Sequence, residues 1–464
     1  MIWWPGPDAP MLEEHIRRVS RPPAPGRRMS RPVRTGVEGG SVTDDGGTPP
    51  SPVRRTTAPG GPAPWPLELL DVPALRRSGV RPVPLRQFVL KTHSRCNLAC
   101  TYCYIYAGHD STWRDRPVRM ADATVRRTAE RIAEHVRRHG LRELRVDFFG
   151  GEPLLGGPDP LLRAARELRA ALPGGTRLDL AVQTNGVLLT GPVLDRLARA
   201  GIRVGLSADG GTAALNRRRV DHAGRPSWPG LVRAARLLRE RPESYSGVLC
   251  TIDPDSDPAE VFTSLLDLRP PFLDLLLPHA NWSTRPPPGP GGPAPYGRWL
   301  RTVFDRWWDA DPPGPPVRIF QEIIGLLLGR PSGSESVGLS PMAAIIVDTD
   351  GAIEQVDSVK SAYHGASATG LNVFTDSFDA ALEHPGVAAR QLGAGALAAR
   401  CRACPLSAVC GGGNYAHRYV AGSGFRHPSV YCADLELLIR HIADRLLAAL
   451  PAGESTAPHL DNMP

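Results

Sequence analysis

Residues 95–106 read RCNLACTYCYIY and decide how the fold of this chain is interpreted. They place Cys96, Cys100 and Cys103 in one turn-forming segment with the spacing C-x3-C-x2-C, although the whole chain has only eight cysteines. Three closely spaced thiolates can hold three irons of a 4Fe–4S cluster and leave the fourth iron open to a non-protein ligand. The alternatives are three loop cysteines without a ligand, or a zinc site completed from elsewhere, although zinc sites favour C-x2-C pairs.

The sequence on either side of the cysteines alternates between strand and helix patterns. An apolar run at residues 85–93 leads directly into the cysteines, and five more strand patterns follow, separated by amphipathic helix patterns. Six β/α units of this kind predict an α/β fold with a parallel sheet curved into a partial barrel. Active groups should then lie on loops at the carboxyl ends of the strands.

Polar and glycine-rich motifs occur where the predicted strands end. The second strand pattern is followed by a Gly-Gly-Glu-Pro turn, and the third and fourth are followed by short polar runs. Glycines allow close backbone approach, and a buried carboxylate can pair with an ammonium group. Taken alone, the Gly-Gly-Glu-Pro stretch could be an ordinary turn.

Together these motifs resemble the radical S-adenosylmethionine (SAM) superfamily, whose cysteine loop has an aromatic residue before the last cysteine, here Tyr102. The resemblance implies a partial (β/α)6 barrel that binds a 4Fe–4S cluster and SAM. In that superfamily SAM chelates the open iron, and one electron from the cluster cleaves SAM to a 5′-deoxyadenosyl radical. The radical abstracts a hydrogen from the substrate, so the cofactor supplies the difficult chemistry.

The resemblance also implies a set of SAM contacts. The Gly-Gly-Glu-Pro turn would hold the SAM amino group, the polar strand ends would contact ribose and methionine, and Arg219 would pair with the methionine carboxylate. For Arg219, a solvated arginine in a basic run is the alternative. The implied cofactor-binding residues are Tyr102, Gly150, Gly151, Glu152, Pro153, Thr184, Asn185, Ser207, Asp209 and Arg219.

A second cysteine cluster lies near the C-terminus and resembles the SPASM extension of peptide-modifying radical SAM enzymes, which holds two auxiliary clusters. This sequence departs from the SPASM pattern, because Asn414 and Asp357 stand where two of its cysteines are expected. The remaining residues predict one auxiliary 4Fe–4S cluster, with a structural zinc as the alternative. Its ligands are Cys401, Cys404, Cys410 and Cys432.

Three stretches resemble a narrower group, the FxsB-type cyclophane-forming peptide maturases: residues 272–282, 347–358 and 410–419. That resemblance implies a ribosomally made precursor peptide in which an aromatic ring carbon is joined to the β-carbon of a residue two positions later. Restoring aromaticity requires loss of one electron and one proton. An auxiliary cluster could accept the electron, and Asp357 and His417 are candidate proton acceptors.

Other readings stay open at this stage. Asp357 could cap the hairpin, and His417 could pack within the cluster loop. A SPASM maturase that makes a thioether or a formylglycine would have the same barrel and clusters. A non-enzyme alternative is an iron–sulfur electron carrier or scaffold, although this leaves the open-iron cysteine triplet unexplained.

Composition limits the location and the partners. The net charge of +8 comes without an aromatic-basic motif, so no nucleic-acid partner is expected. No apolar run approaches the ~20 residues that span a membrane, and the N-terminus lacks the features of a signal peptide. We therefore expect a cytoplasmic protein with reduced cysteines. The resemblance adds a precursor peptide and an electron donor such as flavodoxin or ferredoxin as partners.

The chain divides into five predicted regions. Proline-, glycine- and arginine-rich composition predicts disorder in the first, within which residues 65–79 could form one short helix. The regions are a disordered segment (1–80), the radical SAM barrel (85–285), a linker and helical segment (286–340), the SPASM-like domain with a C-terminal helix (341–450) and a disordered tail (451–464).

Overall fold

The computed structural model describes residues 64–449 and is built around one nine-stranded sheet. The strand order is β6-β5-β4-β3-β2-β1-β7-β8-β9. The strands are β1 (Gln87–His93), β2 (Glu143–Gly150), β3 (Arg177–Thr184), β4 (Ile202–Ser207), β5 (Tyr245–Thr251), β6 (Leu273–Leu276), β7 (Ala344–Val347), β8 (Ala352–Glu354) and β9 (Ala368–Asn372).

Strands β1 to β6 pair in parallel, in chain order, as the alternating pattern predicts. The α/β fold with a parallel sheet is therefore confirmed. The predicted hairpin forms from β7 and β8, and β7 also pairs in parallel with β1. The C-terminal hairpin thus extends the barrel sheet, so the barrel and the C-terminal region share one set of backbone hydrogen bonds.

Fourteen helices occur in the part of the chain that the structure describes. They are α1 (Pro64–Leu67), α2 (Val72–Arg77), α3 (Asp122–His139), α4 (Asp159–Ala171), α5 (Gly191–Arg199), α6 (Trp228–Arg239), α7 (Pro258–Leu266), α8 (Pro295–Trp308), α9 (Arg318–Leu327), α10 (Phe378–Leu382), α11 (Pro385–Ala389), α12 (Ala399–Arg402), α13 (Ser407–Cys410) and α14 (Cys432–Ala449). None of them has the length and apolar character needed to cross a bilayer.

The helices that follow the strands pack an apolar face on the sheet. In α3 the residues Val125, Ala129, Ile132 and Val136 recur at helical spacing and are all buried. This face covers one side of β1 and β2, where Phe88 belongs to the same core. The opposite side of β1 carries Gln87, Val89 and Lys91, because side chains alternate along a strand. That side faces the barrel interior.

The N-terminal boundary differs from the prediction. Residues 1–63 lie outside the described residues, and so does the predicted tail at 451–464. Residues 64–80, however, are folded: they form α1 and α2 rather than one helix, and the Trp65 side chain is buried. Trp65 packs with Tyr415 and Phe425 of the C-terminal region, which provides the apolar burial that composition alone did not indicate.

Candidate functional site

The loop after β1 carries the three cysteines at the carboxyl edge of the sheet. Backbone hydrogen bonds hold this loop against a second loop: Ala99 donates to Val220 O over 2.7 Å, and Thr101 donates to Arg218 O over 3.1 Å. None of the three cysteines is in a disulfide, and each is partly buried.

The cysteine loop is chemically suited to a metal cluster. Burial raises the pKa of Cys96 to about 12, and the nearby Glu152 and Cys100 add to the effect. The pKa values of Cys100 and Cys103 are also raised, chiefly by burial. Three thiols so close together cannot all ionise without a cation, whereas metal ions deprotonate bound thiols outright. The donor set therefore fits an iron–sulfur cluster.

The Gly-Gly turn after β2 lies directly on the backbone of the cysteine loop. Gly150 has φ +137°, and a Cβ there would lie 2.1 Å from His93 O. A Cβ at Gly151 would lie 2.3 Å from Arg95 O. Both positions thus require glycine, because any side chain would push the turn off the loop. The amide nitrogen of Glu152 donates to Arg95 O over 3.0 Å and fixes the contact.

The Glu152 side chain ties the ends of β2 and β3 together. It is fully buried, and its Oε1 accepts from the Thr184 hydroxyl over 2.7 Å and from the Leu154 amide over 3.0 Å. Its Oε2 accepts from the Asn185 amide over 2.8 Å. The Asn185 side chain in turn donates to Asn97 Oδ1 over 2.8 Å, beside Cys96. The structure therefore brings Glu152, Thr184 and Asn185 together at the cysteine loop.

A second polar group joins the cysteine loop to the end of β4. The Tyr102 hydroxyl donates to Asp209, with oxygen distances of 2.6 and 2.8 Å, and accepts from Arg219 Nη1 over 2.6 Å. Arg219 Nη1 also lies 3.6 Å from Asp209 Oδ1. Arg219 Nε is buried without a hydrogen-bond partner among the described residues. Ser207 does not join this group, since its hydroxyl accepts from Gln183 over 2.9 Å.

The four C-terminal cysteines lie on neighbouring elements. Cys401 lies in α12, Cys404 in the next turn, Cys410 at the end of α13, and Cys432 at the start of α14. Burial raises the pKa of Cys410 to about 12, with Cys432 and Cys401 among the contributing neighbours. Burial and the Cys401 and Cys404 thiols also raise the pKa of Cys432. These mutual effects place the four thiols in one group that suits a metal.

Asn414 does not complete a further cysteine set. Its Oδ1 accepts from the Ala416 amide over 3.0 Å and caps the short 3-10 helix Tyr415–Arg418. His417 lies in that helix and is buried, with its Nε2 3.3 Å from His279 Nδ1. Burial, with help from the Arg418 charge, lowers the pKa of His417 to about 3. His417 is therefore a weak base at neutral pH.

Asp357 lies just after β8, in a buried cluster of charges. Its Oδ1 is 2.7 Å from Lys91 Nζ, which also lies 3.2 Å from Asp348 and 3.5 Å from Glu354. Lys360 Nζ is 2.9 Å from Glu354. Sequence reasoning missed both lysines as site residues. The signal was present, because they are the only lysines among the 55 basic residues of the chain.

A cavity on the interior side of the sheet connects Asp357 to the cysteine loop. Its walls are mostly apolar and include Val89, Phe149, Met342 and Ile346, while Asp357, Tyr104 and His279 supply polar groups. Tyr104 directly follows Cys103, and its ring meets His279 edge-on at 4.5 Å. His279 also lines the neighbouring cavity that contains His417. It was not identified from the sequence, where no motif marks it.

The family comparison places the cysteine loop and the strand ends in a known domain. Residues 90–262 match the model of the radical SAM superfamily. The chain is similar to the serine-type anaerobic sulfatase-maturating enzyme of Klebsiella aerogenes, with 24% identity over 374 residues, 76% of this chain and 87% of that protein. It is 23% identical over 288 residues to the cysteine-type enzyme of Clostridium perfringens, 59% of this chain and 74% of that protein.

Solved structures share the fold. The structure of anSMEcpe with bound AdoMet matches with a TM-score of 0.66 at 20% identity, covering 79% of this chain and 98% of that chain. Streptococcus suis SuiB bound to precursor peptide SuiA matches with a TM-score of 0.54 at 16% identity, covering 78% of each chain. The fold, the cysteine geometry and the match over residues 90–262 show that this chain carries a radical SAM domain, which works with a 4Fe–4S cluster and SAM.

Proposed function

We propose that this chain is a peptide maturase that removes two hydrogens from a ribosomally made precursor peptide. The observation that carries the proposal is the buried Asp357 carboxylate, which lines a mostly apolar cavity beside the cysteine loop. Similarity to sulfatase-maturating enzymes supports a polypeptide substrate, as does the fold shared with SuiB bound to a precursor peptide. We propose no nucleic-acid or membrane partner.

The chain's own residues would hold the cofactors. Cys96, Cys100 and Cys103 would bind the barrel cluster, and Arg219, whose buried Nε lacks a partner among the described residues, would bind the SAM carboxylate. When bound, the barrel cluster and SAM supply the one-electron cleavage of SAM that takes a hydrogen atom from the substrate, and a cluster at the C-terminal cysteines supplies an electron acceptor. An electron donor such as flavodoxin or ferredoxin, and a reducing compartment such as the cytoplasm, suit this chemistry.

Asp357 would take the second hydrogen as a proton. Removal of a hydrogen atom, an electron and a proton accounts for both hydrogens and both electrons. Apart from the Lys91 contact, the Asp357 oxygens accept no hydrogen bond from residues 64–449, so their lone pairs are available. His417 is the weaker candidate, because its lowered pKa leaves it with little affinity for a proton.

Two products satisfy this balance. Oxidation of a serine or cysteine β-carbon to formylglycine is supported by the similarity to serine-type and cysteine-type sulfatase-maturating enzymes. A carbon–carbon crosslink to an aromatic ring, a three-residue cyclophane, is supported by the apolar cavity wall around Val89, Phe149 and Ile346, which suits a ring. Residues 272–282, 347–358 and 410–419, which resemble cyclophane-forming enzymes, support the same product.

The test uses reconstituted full-length protein under anaerobic conditions, with SAM, a reductant and two synthetic peptides. One peptide carries Phe-x-Ser near its C-terminus, and the other carries a cysteine in a sulfatase-like context. Mass spectrometry measures the peptide, and chromatography measures 5′-deoxyadenosine in the same tube.

Hydroxylamine separates the two products, because it traps an aldehyde and not a crosslink. A crosslinked peptide loses two hydrogens and gives no fragments between the joined residues. The Phe→Ala version of the first peptide is the matched control. Abundant 5′-deoxyadenosine with both peptides unchanged would contradict peptide oxidation at these sequences.

A further inference from the structure

The two lysines of this chain share an unusual position. The chain has 55 lysine and arginine residues, yet only Lys91 and Lys360 are lysines. Their side chains are 6% and 1% exposed, and both contact the same carboxylates. Most arginines lie at least partly in solvent, where either residue serves. A compact ammonium on an unbranched stem fits a narrow buried space that a planar guanidinium does not fill in the same way.

Lys91 is the direct partner of Asp357. It lies on β1 and shares the interior side of the strand with Val89, which lines the cavity. Its Nζ is closest to Asp357 Oδ1, at 2.7 Å, and farther from Asp348 and Glu354, at 3.2 and 3.5 Å. Because Asp357 has no other hydrogen-bond donor among the described residues, this one contact orients the carboxylate.

Lys360 keeps the other carboxylates occupied. Its Nζ lies 2.9 Å from Glu354 and 3.4 Å from Asp110, but 4.0 Å from Asp357. Arg116 also pairs with Glu354, over 3.0 Å. Burial works to raise the pKa of Glu354, but Lys91 and Lys360 lower it to about 2. The other carboxylates therefore have cationic partners besides Lys91, which leaves Lys91 to Asp357.

We propose that Lys91 is a positioning residue that keeps Asp357 ionised and directed into the cavity, ready to accept the substrate proton. The inference rests on the proposed function of Asp357. A buried carboxylate without a cation becomes neutral, because burial disfavours the charged form. A neutral Asp357 could not take a proton, so loss of Lys91 would stop the reaction after hydrogen-atom removal.

Lys91 holds its own proton throughout. Burial acts to lower the pKa of Lys91, but Asp357, Glu354 and Asp348 together raise it well above the ordinary value. It is therefore a fixed cation and not a proton carrier. The titratable and charged groups that face Asp357 are Lys91 on β1, Cys103, Tyr104 and Tyr106 on the cysteine loop, and Lys360 on its own turn.

The test compares the double variant Lys91→Met/Glu354→Gln with Glu354→Gln alone. The double variant removes one positive and one negative charge, so the net charge of the cluster is kept while Asp357 loses its partner. We measure peptide product per 5′-deoxyadenosine from pH 6 to pH 9, using whichever of the two synthetic peptides the wild type converts. We expect this ratio to fall at least about tenfold at pH 7 and to recover as pH rises, since proton transfer contributes about 10²–10⁴ in rate. A pH profile that matches Glu354→Gln would overturn the inference.

A second measurement does not depend on turnover. Infrared spectra of the cofactor-free double variant at pH 7 should gain a protonated-carboxyl band that disappears when Asp357→Asn is added. Absence of this band in a folded variant would also overturn the inference. If the double variant does not fold, Lys91→Gln, which retains a polar side chain, is measured in the same two ways. Normal product from Asp357→Asn would instead refute the proton-acceptor role of Asp357, while the infrared result would still decide whether Lys91 keeps it ionised.

Discussion

Replacing Arg219 should separate a structural role from a cofactor role. In the structure Arg219 lies beside the buried Asp209 and the Tyr102 hydroxyl that bridges them. Burial raises the pKa of Asp209, and the Arg219 charge is the chief effect that opposes this rise. Arg219→Met therefore leaves a buried carboxylate without its cation. Breaking such a pair by removing one partner costs about 3–5 kcal/mol.

The double variant Arg219→Met/Asp209→Asn removes both charges and should recover most of that loss. We would measure urea unfolding of the cofactor-free protein by circular dichroism for the wild type, both single variants and the double variant. A double-mutant cycle then gives the coupling energy between the two side chains. A loss below about 1 kcal/mol for Arg219→Met would refute the reasoning, because the median exposed ion pair contributes that little.

SAM binding adds an independent readout. If Arg219 also holds the SAM carboxylate, the double variant should regain stability but still bind SAM weakly, as measured by calorimetry on the reconstituted protein. Recovery of both stability and SAM affinity would leave Arg219 with only its structural role. Asp209→Asn alone is the matched control, since it keeps the guanidinium.

Three further outcomes are expected. Reconstituted protein should hold about eight irons from two 4Fe–4S clusters, and Cys96→Ala/Cys100→Ala/Cys103→Ala should lose about half; a content near twelve would contradict the single auxiliary cluster. Trp65→Ala should destabilise the fold by about 3–5 kcal/mol, because Trp65 is 4% exposed and packs under Arg426; a melting temperature equal to that of the wild type would contradict this packing. Burial lowers the pKa of His135 to about 4, so its folded form resists protonation and its contribution to stability should be lost as pH falls from about 6.5 to about 4; the wild type should lose about 3 kcal/mol more than His135→Gln over that interval in urea unfolding, and parallel pH curves would contradict it.

The barrel and its cysteine loop could be predicted from the sequence because their determinants are local. Alternating apolar strands and amphipathic helices specify parallel β/α units, and strand ends then meet at one edge of the sheet. Glu152, Thr184 and Asn185 follow two neighbouring strands, so their contact in the structure follows from that geometry. Tyr102 and Arg219 are 117 positions apart, yet both lie on loops at the same edge.

Other features depended on long-range packing that no local pattern specifies. Lys91, Glu354 and Lys360 meet because β7 pairs with β1 and carries the hairpin to the barrel interior. Trp65 is ordered because it finds apolar partners more than 300 positions away in the C-terminal region, which its own proline-rich surroundings could not reveal. His279 joins two cavities only through its position after β6. The sequence by itself thus determined the ligand-bearing loops, whose spacing is local, whereas the tertiary structure decided which charges and rings face the cavity, because burial and charge pairing arise only when distant strands come together.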